Sequence, residues 1–467
     1  MALNALDRHV ALVGFMGAGK TTTAGLLQPR LDRPVVDVDQ EIEARYRDTI
    51  PHIFEQQGEP RFRQVEAHAV GAAVGQKRPA IIDLGGGAVT FPGTRDPLEE
   101  AFTVLLDVDV DTAWRRVGGS GRPLARDEAE FRRLFEERQP TYRQVADAVV
   151  ASGDVDGVVL AAAGIHHEVG ALDRLGELVP GDGPVAVVTD STVLRLHGTR
   201  ARQSLGDRLV GTHELPPGEE AKQLPVLDRL WSELTLDRGG TIVALGGGCV
   251  TDTAGFAAAA YLRSVAWVAV PTTLVGQVDA AIGGKTAIDI PQGKNLVGAF
   301  HWPARVVIDE KLLETLTERE RRQGLAELVK TRLLAGSELD VRGAAAYKAA
   351  LCLRDPRDRD VRQWLNLGHT FAHALEAAAA FELPHGDAVA LGLLAALRLS
   401  GRDTAAVERE LDPRPVAVDR ERAWEALLRD KKRTGDAINV VLLGEDGPRV
   451  EARPAGEVRA ALDTLIR

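Results

Sequence analysis

A chain that carries GFMGAGKTT (Gly14–Thr22) directly behind the apolar run VALV has few folds open to it. The stretch fits G-x-x-x-x-G-K-[ST] in a strand–loop–helix setting, which is what turns the pattern into a phosphate-binding loop. Gly14, Gly17 and Gly19 let backbone N–H groups wrap the phosphates of ATP. Lys20 reaches the β- and γ-phosphates, and Thr21, with Thr22 beside it, offers a hydroxyl to Mg2+. A glycine turn without a ligand is the plain alternative. The runs HVALVGF, PVVDVD, AIIDLGG and FTVLLDVD alternate with amphipathic segments over residues 1–150, as in a parallel sheet flanked by helices.

At 467 residues the chain is long for one core, so two or three domains are expected. Residues 151–184 mix Gly, Asp and Ala and end in PGDGP, which reads as a boundary. A second alternation follows through VAVVTDS, TIVALGGG and AWVAVPTT, and from about residue 303 the pattern turns helical, with one late apolar run, AINVVLLG. The expected class is α/β. A P-loop kinase-type parallel-sheet domain spans 1–168, a Rossmann-like NAD-binding α/β part 169–302, and a mainly α-helical metal- and substrate-binding part 303–467. No apolar run approaches eighteen residues, so no spanning helix and no membrane partner are expected. The N-terminal stretch lacks the basic flank and long apolar core of a secretory signal. With two cysteines, Cys249 and Cys352, a disulfide framework and a cysteine-based zinc site are excluded, and a cytoplasmic location is expected. A net charge of −11 argues against nucleic acid, so anionic ligands would need local basic clusters. Of 57 basic residues only ten are lysines, a bias that keeps lysine for places where a compact, tunable charge is needed.

In the first region Asp37 and Asp39 close a strand, GEPRFR places Arg61 and Arg63 before a helix, and Gly85–Gly87 close another strand. GSGRPL carries Arg122, and ERQPTYRQVA carries Arg138 and Arg143. Surplus guanidinium forks near a phosphate site point to a carboxylate-bearing acceptor. In order and type, these elements resemble shikimate kinase over about residues 5–165. The resemblance implies that Asp39, Arg63, Arg138 and Gly85, Gly86 and Gly87 bind shikimate, with Asp39 also catalytic. It places Arg122 on the transferred phosphate, Asp37 with Thr21 at Mg2+, and Arg116 beside the nucleotide.

In the second region Gly246, Gly247 and Gly248 sit where a helix N-terminus can receive a pyrophosphate, although the spacing is not G-x-G-x-x-G. Asp190 either reads a ribose or caps a helix, and Glu219 and Lys222 follow. Asp279, Lys285, Lys294 and Asn295 share one polar, Gly-punctuated stretch, Glu327 and Lys330 lie a turn apart, and Lys348, Arg362 and Asn366 lead to His369, His373 and His385. Spacing alone permits all three histidines, or one of the i, i+4 pair plus Glu327, to hold a metal, and ordinary helix-end hydrogen bonds are the alternative.

From about residue 166 to 467 the chain resembles 3-dehydroquinate synthase, through G-G-G-x-V-x-D, P-T-T-L-x-x-Q-V-D, G-G-K-T-A-I, A-E-x-x-K, L-N-x-G-H-T-x-x-H-A-x-E and H-G-x-A-V. The resemblance implies Glu327, His369 and His385 as ligands of a divalent metal, Zn2+ or Co2+, and leaves His373 for proton or phosphate contacts. It assigns Asp279, Lys285, Lys330, His373, Arg362 and Asn366 to catalysis, and Lys294, Asn295, Lys348 and Lys432, or its neighbour Lys431, to substrate. It gives NAD to Asp190, Glu219, Lys222, Gly246, Gly247, Gly248, Asp252, Thr272, Thr273 and Lys294. Arg263 would reach into the site of a second copy, so a homodimer through this region is expected. Asp358 and Asp360 stand where the family usually has Glu and Gly, which leaves the approach to Arg362 open. Two other readings compete: a gluconate-type kinase joined to a polyol dehydrogenase, and a binding protein in which one half is not catalytic.

Overall fold

The run VALV becomes β1 (Val10–Val13), buried at every position, as expected for the middle strand of a parallel sheet covered on both faces. The computed structural model describes residues 4–118, 127–430, 433–434 and 437–467. The chain divides into two compact units, Met1–Ile165 and His166–Arg467. In the first, β1 lies between β3 (Ile81–Asp83) and β4 (Phe102–Asp107), flanked by β2 (Val35–Asp37) and β5 (Ala148–Ala151). The order is β2-β3-β1-β4-β5 and every pairing is parallel. The carboxyl ends of β1, β2 and β3 therefore lie along one edge, where open α/β sheets bind ligands.

The second unit holds a six-stranded sheet built from β6 (Ile165–His167), β7 (Val185–Asp190), β8 (Leu209–Leu215), β9 (Thr241–Gly246), β10 (Ala266–Pro271) and β13 (Arg305–Ile308), in the order β6-β13-β10-β9-β7-β8. Strands β9 and β10 are buried almost throughout, which follows from their continuous apolar runs. The polar stretch after β10 forms an antiparallel hairpin, β11 (Lys285–Ile290) with β12 (Gly293–Phe300). The remainder is mainly helical and shares one apolar core, with a small antiparallel sheet of β14 (Arg433–Thr434), β15 (Ala437–Gly444) and β16 (Gly447–Pro454). The late apolar run AINVVLLG is β15 of that sheet, set within a part that is otherwise mainly helical. Helix Glu318–Ala335 begins in a capping box, Thr317 with Glu320, and stops at Gly336 in the left-handed region (φ 66°), so its register and the face bearing Glu327 and Lys330 are fixed at both ends. Among the described residues no helix is long and apolar enough to cross a membrane.

Candidate active sites

Behind β1 the chain turns through Gly14, Gly17 and Gly19 at φ 150°, 81° and 80°. Gly17 has no alternative, because a Cβ there would stand 2.8 Å from the Ala113 carbonyl oxygen. Lys20 opens helix Lys20–Leu31 and donates back to the carbonyls of Gly14 (3.0 Å) and Phe15 (3.4 Å), closing the loop around the space a phosphate chain would fill. Arg116 donates to the Gly17 carbonyl and to Ser152 Oγ, both at 2.8 Å, and so stands at the rim of the loop.

The Thr21 hydroxyl donates to Asp83 Oδ2 at 2.6 Å. Asp83 ends β3 and lies in register with Asp37 on β2. Burial raises its pKa, against the hydrogen bond from Thr21 and the charge of Lys20. A strand-end aspartate beside a P-loop hydroxyl is a Mg2+-holding arrangement. Asp37, expected at Mg2+ from the sequence, is the register partner of Asp83 and accepts from Gln40 N at 3.1 Å through Oδ1, capping helix Val38–Tyr46. Sequence reasoning did not single out Asp83, although AIID, an apolar strand closed by an acid, placed a carboxylate at that edge.

Gly85–Gly87 form the far wall. A Cβ on Gly85 would stand 2.7 Å from Glu66 Oε1 and 2.8 Å from Asp39 Oδ1, and one on Gly87 would collide with the Arg63 guanidinium. The Gly86 carbonyl accepts from the Tyr142 hydroxyl and from Arg138 at 3.4 Å. Asp39, Arg63 and Arg138 thus meet at one glycine turn. Arg63 donates to Glu66 (2.6 Å) and Glu59 (3.1 Å) and faces the rings of Phe54 and Phe62. Burial pushes Glu66 up to about 7; Arg63 pulls it down and Asp39 adds to the rise. Glu66, an unassigned acid in RQVEAHAV, is a second residue that sequence reasoning did not find. Arg122 lies outside the described residues.

In the second unit Gly246–Gly248 join β9 to helix Gly248–Ala260. A Cβ on Gly247 would stand 3.1 Å from Thr273 Cγ2, and one on Gly248 3.3 Å from Ala280 Cβ, so the glycines leave a shallow cradle at the helix N-terminus. Thr272 N donates to the Gly246 carbonyl at 3.0 Å, holding the ends of β9 and β10 together. Asp190 accepts from Thr192 N (2.9 Å) and Val193 N (3.0 Å), so it caps its helix. Lys222 donates to Asp252 at 2.8 Å and to Asn295, and Lys294 donates to Glu219 at 3.0 Å. Burial opposes the charge on Lys222, but Asp252 and Glu219 outweigh it and raise its pKa.

Next to this cluster is a cavity of about 530 Å³, and the residues lining it include Asp252, Asp279, Lys285, Asn295, Lys330, Lys348, Arg362, Asn366, His369, His373 and His385. Lys348 approaches Asp279 Oδ1 at 2.8 Å, and Lys330 approaches the same atom at 3.5 Å and pairs with Glu327. Burial would raise Asp279, yet Lys348 and Lys330 hold it down at about 2. Lys285 pairs with Asp358, which sits in the left-handed region at φ 55°. The approach to Arg362 is orderly. Asp355 accepts the N–H groups of Arg359 (3.0 Å), Asp360 (2.6 Å) and Arg362 (3.2 Å), and the guanidinium donates to the Gly283 carbonyl at 2.9 Å.

Glu327, His369 and His385 place one donor atom each within 4.8 Å of one another. Glu327 Oε1 lies 3.4 Å from His369 Nε2 and 3.1 Å from His385 Nε2. His369 Nδ1 faces the Leu367 carbonyl at 3.2 Å, and His385 Nδ1 faces Glu376 at 3.1 Å. Burial opposes a charge on His385, but its bonds to Glu327 and Glu376 outweigh it and hold its pKa up to about 10. One carboxylate and two imidazole Nε2 atoms suit a divalent ion with an open position. His373 lines the cavity outside this triad. Arg263 is exposed on the turn after its helix, with φ 69°, and is absent from the cavity wall. Lys431 and Lys432 lie outside the described residues.

Three family models match the chain: shikimate kinase over residues 16–161, 3-dehydroquinate synthase N-terminal over 212–323, and 3-dehydroquinate synthase C-terminal over 304–433. A bifunctional shikimate kinase/3-dehydroquinate synthase of Thermotoga maritima is 31% identical over 468 residues, covering 91% of this chain and 93% of that protein. A 3-dehydroquinate synthase of Bordetella pertussis is 39% identical over 346 residues, covering 65% of this chain and 96% of that protein. Among solved structures, 2-deoxy-scyllo-inosose synthase complexed with carbaglucose-6-phosphate, NAD+ and Co2+ matches the fold with a TM-score of 0.58 at 24% identity, covering 64% of this chain and 95% of that one.

Proposed function

The chain belongs to the shikimate kinase and 3-dehydroquinate synthase families, joined in one polypeptide, and on that premise we propose which of its residues carry each reaction. It is a bifunctional enzyme. One activity phosphorylates shikimate to shikimate 3-phosphate with ATP and Mg2+; the other converts 3-deoxy-D-arabino-heptulosonate 7-phosphate to 3-dehydroquinate and phosphate with NAD and a divalent metal.

In the kinase unit, Lys20 and the backbone of Gly14–Gly19 hold the nucleotide phosphates, and Thr21 with Asp83 receives Mg2+. Asp39 accepts the proton of the attacked hydroxyl, while Arg63 and Arg138 grip the carboxylate against Gly85–Gly87. Glu66 tunes that grip. A carboxyl whose folded pKa is raised is stabilised by the fold in its neutral form, so its favourable contribution is present below about 4.5 and lost as pH rises through about 7. Above that point the Glu66 carboxylate competes for Arg63. The KM for shikimate is expected to rise several-fold between pH 6 and 8 and to lose most of that rise in Glu66→Gln; steady-state kinetics at several pH values check it.

In the synthase unit, Glu327, His369 and His385 would hold the metal, and Lys285, Lys330, Lys348 and Arg362 neutralise the substrate's carboxylate and phosphate. When bound, NAD takes up and returns a hydride and the metal supplies Lewis acidity towards the substrate oxygens. Asp279, held ionised between two lysines, keeps both ammonium groups aimed into the cavity. His373 and Asn366 sit on the same wall for proton and phosphate contacts. The observation that carries this reading is the meeting of a Glu–His–His donor set with four cationic side chains in one cavity. It is tested by assaying phosphate release from the seven-carbon substrate with the metal removed and restored, alongside ATP-dependent phosphorylation of shikimate against gluconate. Loss of metal dependence, or a preference for gluconate, overturns it.

The domain reading has its own test. Chains cut between Ile165 and His166 are each expected to keep one activity within a few-fold of the whole, measured on separately purified halves. Arg263, exposed and away from its own cavity, supports a homodimer in which it serves the neighbouring copy. Sedimentation of the 166–467 half as a monomer would remove that support.

A further inference from the structure

We propose that Glu376 is a positioning residue that fixes His385 as the stronger of the two imidazole donors, an inference that rests on the metal reading of Glu327, His369 and His385. Helix His369–Ala378 carries Glu376 in its last turn, and His385 opens the next helix, His385–Leu399. The connection doubles back tightly enough to return His385 Nδ1 to 3.1 Å from Glu376 Oε1. Glu376 is itself pinned there, since its backbone carbonyl accepts from Phe381 N at 2.7 Å. Ala380 and Phe381 both take left-handed backbones to allow this, at φ 50° and 63°. Such conformations in residues with side chains are strained and persist only where the surroundings impose them. Phe381 gains little from burial, being 47% exposed. These left-handed residues close the C-terminal turn of helix His369–Ala378, with Phe381 N on the Glu376 carbonyl, and turn the chain back towards His385.

The two histidines differ in what stands behind them. His369 Nδ1 meets a neutral carbonyl, that of Leu367, at 3.2 Å, while His385 Nδ1 meets a buried carboxylate. With Nδ1–H donated to Glu376, Nε2 is the His385 nitrogen turned towards Glu327 Oε1, 3.1 Å away, and towards the space between the three donors. An anionic partner behind an imidazole locks its tautomer and ring angle and increases its basicity more than a carbonyl does. A purely structural alternative exists: Glu376 as a clamp that closes the loop and nothing more.

The test uses the full chain and reads metal binding directly, by competition with a chromophoric chelator for Zn2+ and by the d–d absorption of bound Co2+. Glu376→Gln keeps the shape and one acceptor oxygen but loses the charge. It is expected to weaken binding about 10- to 100-fold and shift the Co2+ bands, with NAD affinity and thermal unfolding of the second unit close to wild type. Unchanged affinity with an unchanged Co2+ spectrum overturns the proposal, as does a loss of folding stability that fully accounts for the weaker binding. Should Glu376→Gln fail to fold, Glu376→Asp carries the test. Its carboxylate ends one methylene short, so affinity must fall by a smaller but measurable factor, and wild-type affinity and spectrum overturn the idea. A wild-type chain that binds neither ion defeats the metal reading, and this inference with it, which separates that failure from that of Glu376 alone.

Discussion

Lys20→Met is expected to abolish shikimate phosphorylation, by about 10²- to 10³-fold or more in kcat, while 3-dehydroquinate formation continues at the wild-type rate. The Nζ of Lys20 is held over the loop by two carbonyls, 3.0 and 3.4 Å away, and on the proposed reading it meets the charge that grows on the transferred phosphoryl group. Methionine keeps the length of the stem and the helix propensity but removes the charge and all three donors. Folding of the unit should survive, because the sheet order and the positive-φ glycines of the loop do not depend on Nζ. A coupled assay for ADP release together with a phosphate-release assay on the same preparation checks both halves of the statement. Parallel loss of both activities would mean that the two sites are not independent.

The second large effect is at Glu327. Glu327→Gln should reduce synthase activity about 10³-fold or more and leave the kinase intact, because the substitution removes the one anionic donor from the metal triad. It should also destabilise the second unit. Glu327 and Lys330 are each 1% exposed and paired, and removing one partner of a buried pair costs about 3–5 kcal/mol. Chelation separates the two effects: stripping the metal from the wild type should cost activity, yet leave the Lys330 ammonium paired and the thermal transition higher than that of Glu327→Gln. Calorimetry of stripped wild type and variant under identical conditions checks this. Coincident transitions would show that Glu327 gives no support beyond the metal.

What the sequence revealed and what it hid divide along a physical line. The P-loop was legible because its chemistry is local: a strand, three glycines and a lysine within a dozen positions dictate the turn. The convergence of Glu327, His369 and His385 was legible only through a long ordered motif set, since spacing left His373 an equal candidate. Asp83 was hidden because its partner Thr21 lies 62 positions away, and pattern reading sees the strand but not what abuts its end. Glu66 was hidden because a helical acid three residues from an arginine looks like a solvated pair, and only burial distinguishes it. Asp190 shows the reverse, for both readings of it were open and its hydrogen bonds show the cap. The hairpin β11–β12 was read only as a polar, glycine-punctuated stretch, because its strands alternate weakly and their exposure is irregular.

Five lysines of the synthase unit already hold carboxylates: Lys222 with Asp252, Lys285 with Asp358, Lys294 with Glu219, and Lys330 and Lys348 with Asp279. An incoming anion therefore does not meet bare charge. At each of these lysines it must exchange with a tethered counter-ion, as on an ion-exchange resin already in its loaded form, whereas the Arg362 guanidinium is held by carbonyls. Chloride or a lone sulfate displaces one carboxylate and gains little, whereas a molecule bearing a phosphate and a carboxylate on one frame trades several partners at once. On the proposed reading the cavity is thereby suited to an anion chosen by valence and spacing together.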